Sequence, residues 1–324
     1  MNKHILAALL AIGFLLPFSG ESIACDYCLL SQGISPLETI KGSGIKINER
    51  YTRLTKPYKG TERLHLDAGA KEEYWTTELT GFYGVTEDIT VLGVVPLRKT
   101  KVDGHLHVHA DGTPEVHTDV TGTEFGLGDI ALIGRYAFFK KHTLDSTTTI
   151  AGLFGVKLPT GKTSGKTDDG AEFLDAHQQL GTGSTDFILG ISANRAKDRL
   201  TLSANLLGTV TTVGRAGDRT HRFGDMLNYD LTAKYRVYPT SLAQGPQVFV
   251  ALGLNGELRQ REKEDNVEVA DSGGHTIYLS PGIQVAAAEH WVFELTYQQA
   301  IYHNLYGAQL GEDYKASGGV TYLF

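Results

Sequence analysis

The last eleven residues, Tyr314 to Phe324, constrain this chain more than any other stretch. Tyr314, Ala316, Gly318, Val320, Tyr322 and Phe324 alternate with Lys315, Ser317, Gly319 and Thr321. A period of two means an extended strand whose faces meet different surroundings. The strand ends on aromatic Phe324, with Tyr322 two residues before it. After a secretory leader, such a strand reads as the one that closes a membrane-spanning barrel. Hydrocarbon offers no water to satisfy an open sheet edge, so the last strand must pair with the first. The residues upstream should then be more strands of the same kind.

The leader is residues 1–24. Lys3 and His4 precede an apolar run from Ile5 to Phe18, and Ser22-Ile23-Ala24 has the small residues of a cleavage site. That run is too short for a spanning helix, and no later run approaches eighteen apolar residues. We expect 25–45 to be a periplasmic segment and 46–324 one outer-membrane barrel with both termini periplasmic. The 38 Gly, 15 Tyr and 13 Phe suit a barrel, whose lipid face is diluted by a polar lumen and loops. A net charge of -7 argues against a nucleic-acid partner.

Read in order, the chain holds about twelve strands. They are 46–54, 74–83, 89–98, 128–138, 148–158, 186–194, 199–213, 228–237, 248–258, 276–286, 291–299 and 314–324. The eighth shows the pattern best: Tyr229, Leu231, Ala233, Tyr235 and Val237 on one face, Asn228, Asp230, Thr232, Lys234 and Arg236 on the other. The first is irregular, because charge falls on both faces (Lys46 and Arg50; Glu49 and Arg53). Aromatic residues recur near strand ends, as an interfacial girdle requires. Connections are short after even strands and longer after odd ones, the asymmetry of periplasmic turns and extracellular loops. A secreted β-sandwich would also alternate, but it needs neither the aromatic ends nor that loop asymmetry.

Three stretches carry a family resemblance: Gly126-Leu-Gly-Asp-Ile130 followed by Gly134-Arg-Tyr136, then Gly155-Val-Lys-Leu-Pro-Thr-Gly161, then Leu180-Gly-Thr-Gly-Ser-Thr-Asp186. In this order the chain resembles, from its second strand to its C-terminus, the outer-membrane transporter family named for the MetA pathway of phenol degradation. The resemblance implies a barrel that passes or binds small, often hydrophobic compounds. Cys25-Asp-Tyr-Cys28 and the histidine-rich loop depart from the family pattern.

The inward faces are expected to line a narrow lumen with charges of both signs: Glu78, Asp129, Arg135, Asp186, Asp230, Lys234, Arg236, Glu294 and Lys315. Interior charges pair across the lumen or set a field for permeants, and pairing is favoured because unpaired buried charge is costly. His105, His107 and His109 would project to one side of an extended segment. With His117 they would offer imidazoles to a transition metal; a polar loop that happens to hold histidines is the plain alternative. His117 or Glu115 would complete the set if the segment folds as a hairpin over Asp111-Gly112. Cys25 and Cys28 suggest a local disulfide, with lipidation at Cys25 or a redox role as other readings. Thr160 to Thr167 imitates a phosphate loop, but its glycine spacing fails.

A channel for small, hydrophobic or aromatic molecules is therefore expected, with no cofactor. The alternative is a scaffold for periplasmic or surface partners. An enzyme is disfavoured, because no histidine has the serine two residues later that outer-membrane phospholipases use. The expected partners are outer-membrane lipid, lipopolysaccharide, the permeant, and the barrel-assembly machinery through Phe324.

Overall fold

The computed structural model describes residues 42–66, 69–108, 113–240, 245–287 and 290–324. The leader, Cys25, Cys28 and His109 lie outside them. In chain order the strands are β1 (Gly44–Gly60), β2 (Glu62–Arg63), β3 (Lys71–Gly84), β4 (Ile89–Val108), β5 (Pro114–Leu127), β6 (Ile130–His142), β7 (Ser146–Leu158), β8 (Asp186–Lys197) and β9 (Leu200–Val210). They continue with β10 (Gly214–Ala216), β11 (Arg219–Arg222), β12 (Met226–Tyr238), β13 (Gln247–Arg259), β14 (Lys263–Glu264), β15 (Val267–Glu268), β16 (Gly274–Ala287) and β17 (Trp291–Leu323).

Neighbouring strands pair antiparallel in the order β17-β16-β13-β12-β9-β8-β7-β6-β4-β3-β1, and β1 pairs with β17 to close the ring. Strand β17 supplies two staves. Its first part pairs with β16 as far as Leu305, its second pairs with β1 from Ala308 onward, and Gly307 takes a φ of 69° at the fold-back. The Leu323 amide donates to the His290 carbonyl at 2.8 Å, and the rings of Trp291 and Tyr322 lie 4.8 Å apart, so the two halves lie side by side. Strands β5 and β6 form one stave broken at Gly128-Asp129: β4 pairs with β5 from Leu97 outward and with β6 from Val94 inward. Eleven strands close the path and β17 counts twice, which gives the twelve staves expected from the sequence.

The alternation is the physical basis of the wall. Leu132, Tyr136, Leu189, Leu231, Leu252 and Leu295 project outward and are 49–63% exposed without a bilayer. On the inner face, Lys46, Lys234, Thr232, Ser280 and Thr321 are at most 1% exposed. Tyr83, Tyr136, Phe138, Tyr238, Trp291 and Phe324 mark one belt at the end of the short turns.

Loop lengths are the main correction. Residues 99–127 are mostly strand: β4 and β5 continue as a hairpin in which His105 faces His117. Likewise 300–313 is extended up to a tight turn, and β1 runs to Gly60 rather than ending at Leu54. Thr, Lys and His at these positions alternate too weakly in polarity to be read as strand, because both faces of a wall above the bilayer meet water.

Candidate functional site: the barrel lumen

The lumen has two unlike walls. On β3, β4, β6, β7, β8 and β9 the inward residues include Phe82, Leu92, Ile133, Leu153, Ile188 and Leu207, which join Ala286, Val292 and Leu323 in one contiguous cluster. Phe82, Leu92 and Ile133 are successive register partners. Tilted strands turn this row into a climbing stripe. Phe82 is two residues from the Gly84 end of β3, at the short-turn mouth, whereas Ile188 is two residues from the Asp186 start of β8, at the opposite mouth. Gly44 makes room at the lower end, where a Cβ would collide with the Phe82 ring.

The facing wall, on β12, β13, β16, β17 and β1, is polar and ion-paired. Lys46 contacts Glu294 across staves, with side chains 2% and 4% exposed. Arg50 reaches Glu78 at 3.1 Å, as the inward placement of Glu78 requires. Lys315 bridges Glu257 and, at 2.9 Å, Glu312, and its ammonium sits 4.6 Å from the Tyr278 ring centroid. Lys234 donates to Gln284 at 3.2 Å, and Asn205 donates to Asp230 at 3.1 Å. Arg236 on β12 also faces inward, 4% exposed, and Arg135 on β6 stands beside the stripe as register partner of Leu153, 5% exposed. Most of these contacts reach across one or more intervening staves, so they tie the wall together, and the carboxylate–cation pairs among them reduce its net field.

Asp129 and Asp186 do something other than line a ring. Asp129 sits in the break between β5 and β6, and its carboxylate accepts from the Gly161 amide at 2.9 Å and from the Thr182 amide and hydroxyl at 2.8 and 2.7 Å. Asp186 accepts from the Ser184 hydroxyl and the Thr212 amide, each at 2.9 Å. Lys157 lies between the two carboxylates. Thr160 donates to the Gly128 carbonyl at 2.8 Å, and a Cβ on Gly161 would stand 2.6 Å from the Gly181 Cα. The three glycine-rich stretches thus meet in space as one knot.

The knot folds the connection after β7 into the mouth. Gln178, Gln179 and Leu180, in and after a 3-10 turn at Ala176–Gln178, are 1–2% exposed. Gln178 donates to Glu72 at 3.0 Å, and Arg98 donates to the Leu180 carbonyl at 3.0 Å. A latch joins this cap to two other connections. Glu262 accepts from His221 Nε2 at 2.9 Å and faces His177 Nδ1 at 3.5 Å. Glu262 raises the His177 pKa above its ordinary value, and the two histidines hold the Glu262 carboxyl below its own against the opposing effect of burial. The latch had no sequence signature, because His221 and His177 lie 41 and 85 positions before Glu262, on three different connections.

The hairpin expected over Asp111-Gly112 forms on both sides of residues 109–112, and the rings of His107 and His117 meet edge to face at 5.4 Å. His105 instead turns its Nδ1 to Asp175 at 3.2 Å. Among the described residues no group of three or more His, Cys, Asp or Glu is placed to hold a metal.

A crystal structure of the COG4313 outer-membrane channel from Pseudomonas putida F1 superposes with a TM-score of 0.61 at 11% identity, over 88% of this chain and 97% of that one. The β domain of the Bordetella autotransporter BrkA scores 0.44 at 10% identity, over 88% and 100%. The Pseudomonas putida toluene transporter TodX scores 0.37 at 8% identity, over 88% and 89%. At these identities the first likeness shows a shared outer-membrane barrel fold, and the other two scores are too low to argue from. No curated protein matches by sequence. The family described as the putative MetA pathway of phenol degradation matches residues 50–305, most of the barrel and all three glycine-rich stretches, and this chain belongs to that family.

Proposed function

We propose that the chain is a narrow outer-membrane channel for small molecules with an apolar, aromatic-sized part. The observation that carries this reading is the stripe from Phe82 to Ile188, which runs between the two mouths along one side of an otherwise polar lumen. A polar interior is the ordinary state of such a barrel, so a continuous apolar path needs a use. Its residues are each at most 9% exposed, so passage requires side chains and the inserted cap to give way. The paired wall opposite would orient a hydroxyl or carboxyl on the permeant while the stripe takes its hydrocarbon. Glu78, Arg135, Asp230, Lys234, Arg236, Glu294 and Lys315 tune the polar part of the lining; Asp129 and Asp186 hold the cap. The lipid belt, lipopolysaccharide at the loop end, and recognition of the Phe324 strand by assembly machinery complete the proposed partners.

The test is flux through the purified barrel in planar bilayers and liposomes. Phenol and toluene should enter liposomes faster with protein than without, and Leu153→Asp should remove that difference while the barrel stays folded. Equal uptake by wild type and Leu153→Asp would refute the stripe as the path.

A further inference from the structure

The charges of the lumen are not balanced along its length. Among the described residues, the deeply buried charged side chains within four residues of the short-turn end of a stave are Lys46, Arg135, Lys234, Arg236 and Glu294, with Arg135 placed by its register partner Thr90. One carboxylate stands there against four cations, and Lys46 contacts it. Toward the long connections, by contrast, Lys157 lies between Asp129 and Asp186, and Lys315 between Glu257 and Glu312. Arg236 is the sharpest case. It is 4% exposed and takes no part in the ion pairs of the wall, and its Nε has no hydrogen-bond partner among the described residues. Burying a guanidinium is costly unless an anion or another acceptor meets it.

Its surroundings offer donors and apolar surface. Phe249 on β13 is the register partner of Arg236 on one side and of Gln284 on the other. Lys234, two residues before Arg236 on the same inner face, reaches across the Phe249 ring, 5.7 Å from its centroid, and donates to Gln284 Oε1. With that oxygen engaged the Gln284 amide has its N–H groups to offer, and Nε2 has no hydrogen-bond partner among the described residues. Glu294 follows Gln284 in register and is held by Lys46. Ala286, two residues beyond Gln284, and Val292, two before Glu294, belong to the apolar cluster of the stripe. We propose that Arg236, Lys234 and Gln284 form a subsite for the carboxylate of a small aromatic acid, whose ring lies against Phe249 and the apolar end of the stripe. The proposal narrows the permeant class and rests on the reading of the lumen as a path. The donors select an anion: a guanidinium fork holds a carboxylate through charge-assisted, parallel N–H···O bonds, whereas a neutral hydroxyl accepts one weaker bond. Phe249 and the apolar cluster add the hydrophobic contact that a bare inorganic anion would not use.

The test is equilibrium binding of benzoate and of phenol to the full-length barrel in detergent, read by saturation-transfer NMR at about pH 8, where the acid is ionised and phenol is not. Arg236→Gln should weaken benzoate binding by about tenfold, the loss of one charge-assisted contact, and leave phenol binding as in wild type. Gln284→Leu, which keeps every charge, should weaken benzoate by a smaller factor, and heat-modifiable gel mobility reports that each barrel is folded. Lys197→Gln removes an exposed cation at the same end of the barrel and should leave benzoate binding unchanged. Wild type that does not bind benzoate, equal affinity in wild type and both lumen variants, an equal loss of phenol binding, or an equal loss in Lys197→Gln would overturn the proposal. Binding at equilibrium needs no passage, so it decides the subsite, while phenol flux through Leu153→Asp decides the path.

Discussion

Replacing Glu262 by Gln tests whether the cap over the lumen is held by charge. The carboxylate is 7% exposed, and the His221 side chain, at 2.9 Å, is 5% exposed. That contact is a sheltered, charge-assisted hydrogen bond, worth about 1.5–3 kcal/mol. The His177 contact is longer, at 3.5 Å, and its side chain is 48% exposed, so water screens it to the surface-pair level of at most about 1 kcal/mol. Gln keeps the shape but loses the charge, so the latch should weaken by about 2 kcal/mol, roughly a thirtyfold shift toward the released cap. Its pH dependence has a definite sign. The folded His177 pKa is raised, so its contribution is complete below the ordinary histidine value near 6.5 and disappears as pH rises through the raised value. The Glu262 pKa is lowered, so its contribution is complete above the ordinary carboxylate value near 4.3 and disappears as pH falls through the lowered one. The latch is therefore strongest between about pH 4.5 and 6.5. Amide exchange of residues 163–180 in the refolded barrel should be slowest there and speed up toward pH 9 beyond its intrinsic base catalysis. In Glu262→Gln the excess should be gone. Identical protection in both proteins across that range would refute an electrostatic hold.

Three further outcomes follow from the lumen. Glu294→Ala alone strands buried Lys46 and should cost about 3–5 kcal/mol in urea unfolding, whereas Lys46→Met with Glu294→Met should cost less than half of that. Gly181→Ala forces a Cβ to 2.6 Å from both Asp129 and the Gly161 Cα, so trypsin should cut after Lys162 or Lys166 faster than in wild type while the barrel keeps its heat-modifiable mobility. Unchanged cleavage would mean the knot does not hold the cap. Asp129→Asn removes the charge beside Lys157 but keeps an acceptor for the Gly161 amide; single-channel records should show more frequent opening, without change in the fully open conductance.

The expectations about strands and about which residues face the lumen succeeded or failed according to whether their cause was local. Alternation is local: Tyr229 to Val237 and Trp291 to Tyr297 must put one face to lipid, because a register slip of one residue would turn every charge outward. The staves and the inward set of lumen charges were legible for that reason. The extended hairpins were not, since beyond the bilayer lipid no longer enforces the pattern. The site needed tertiary information at a different level. Asp129 looked like a companion of Arg135 because they share parity, yet the break at Gly128-Asp129 turns it to the Gly161 and Thr182 amides. The stripe from Phe82 to Ile188 takes about one residue per strand, so no window of the sequence contains it. Glu49 is the instructive reverse. Its charge made the first strand the least regular in the sequence, and the structure leaves the charge facing the lipid side. Its partner is the Thr77 hydroxyl on the neighbouring stave, a pairing between strands that alternation within one strand does not reveal.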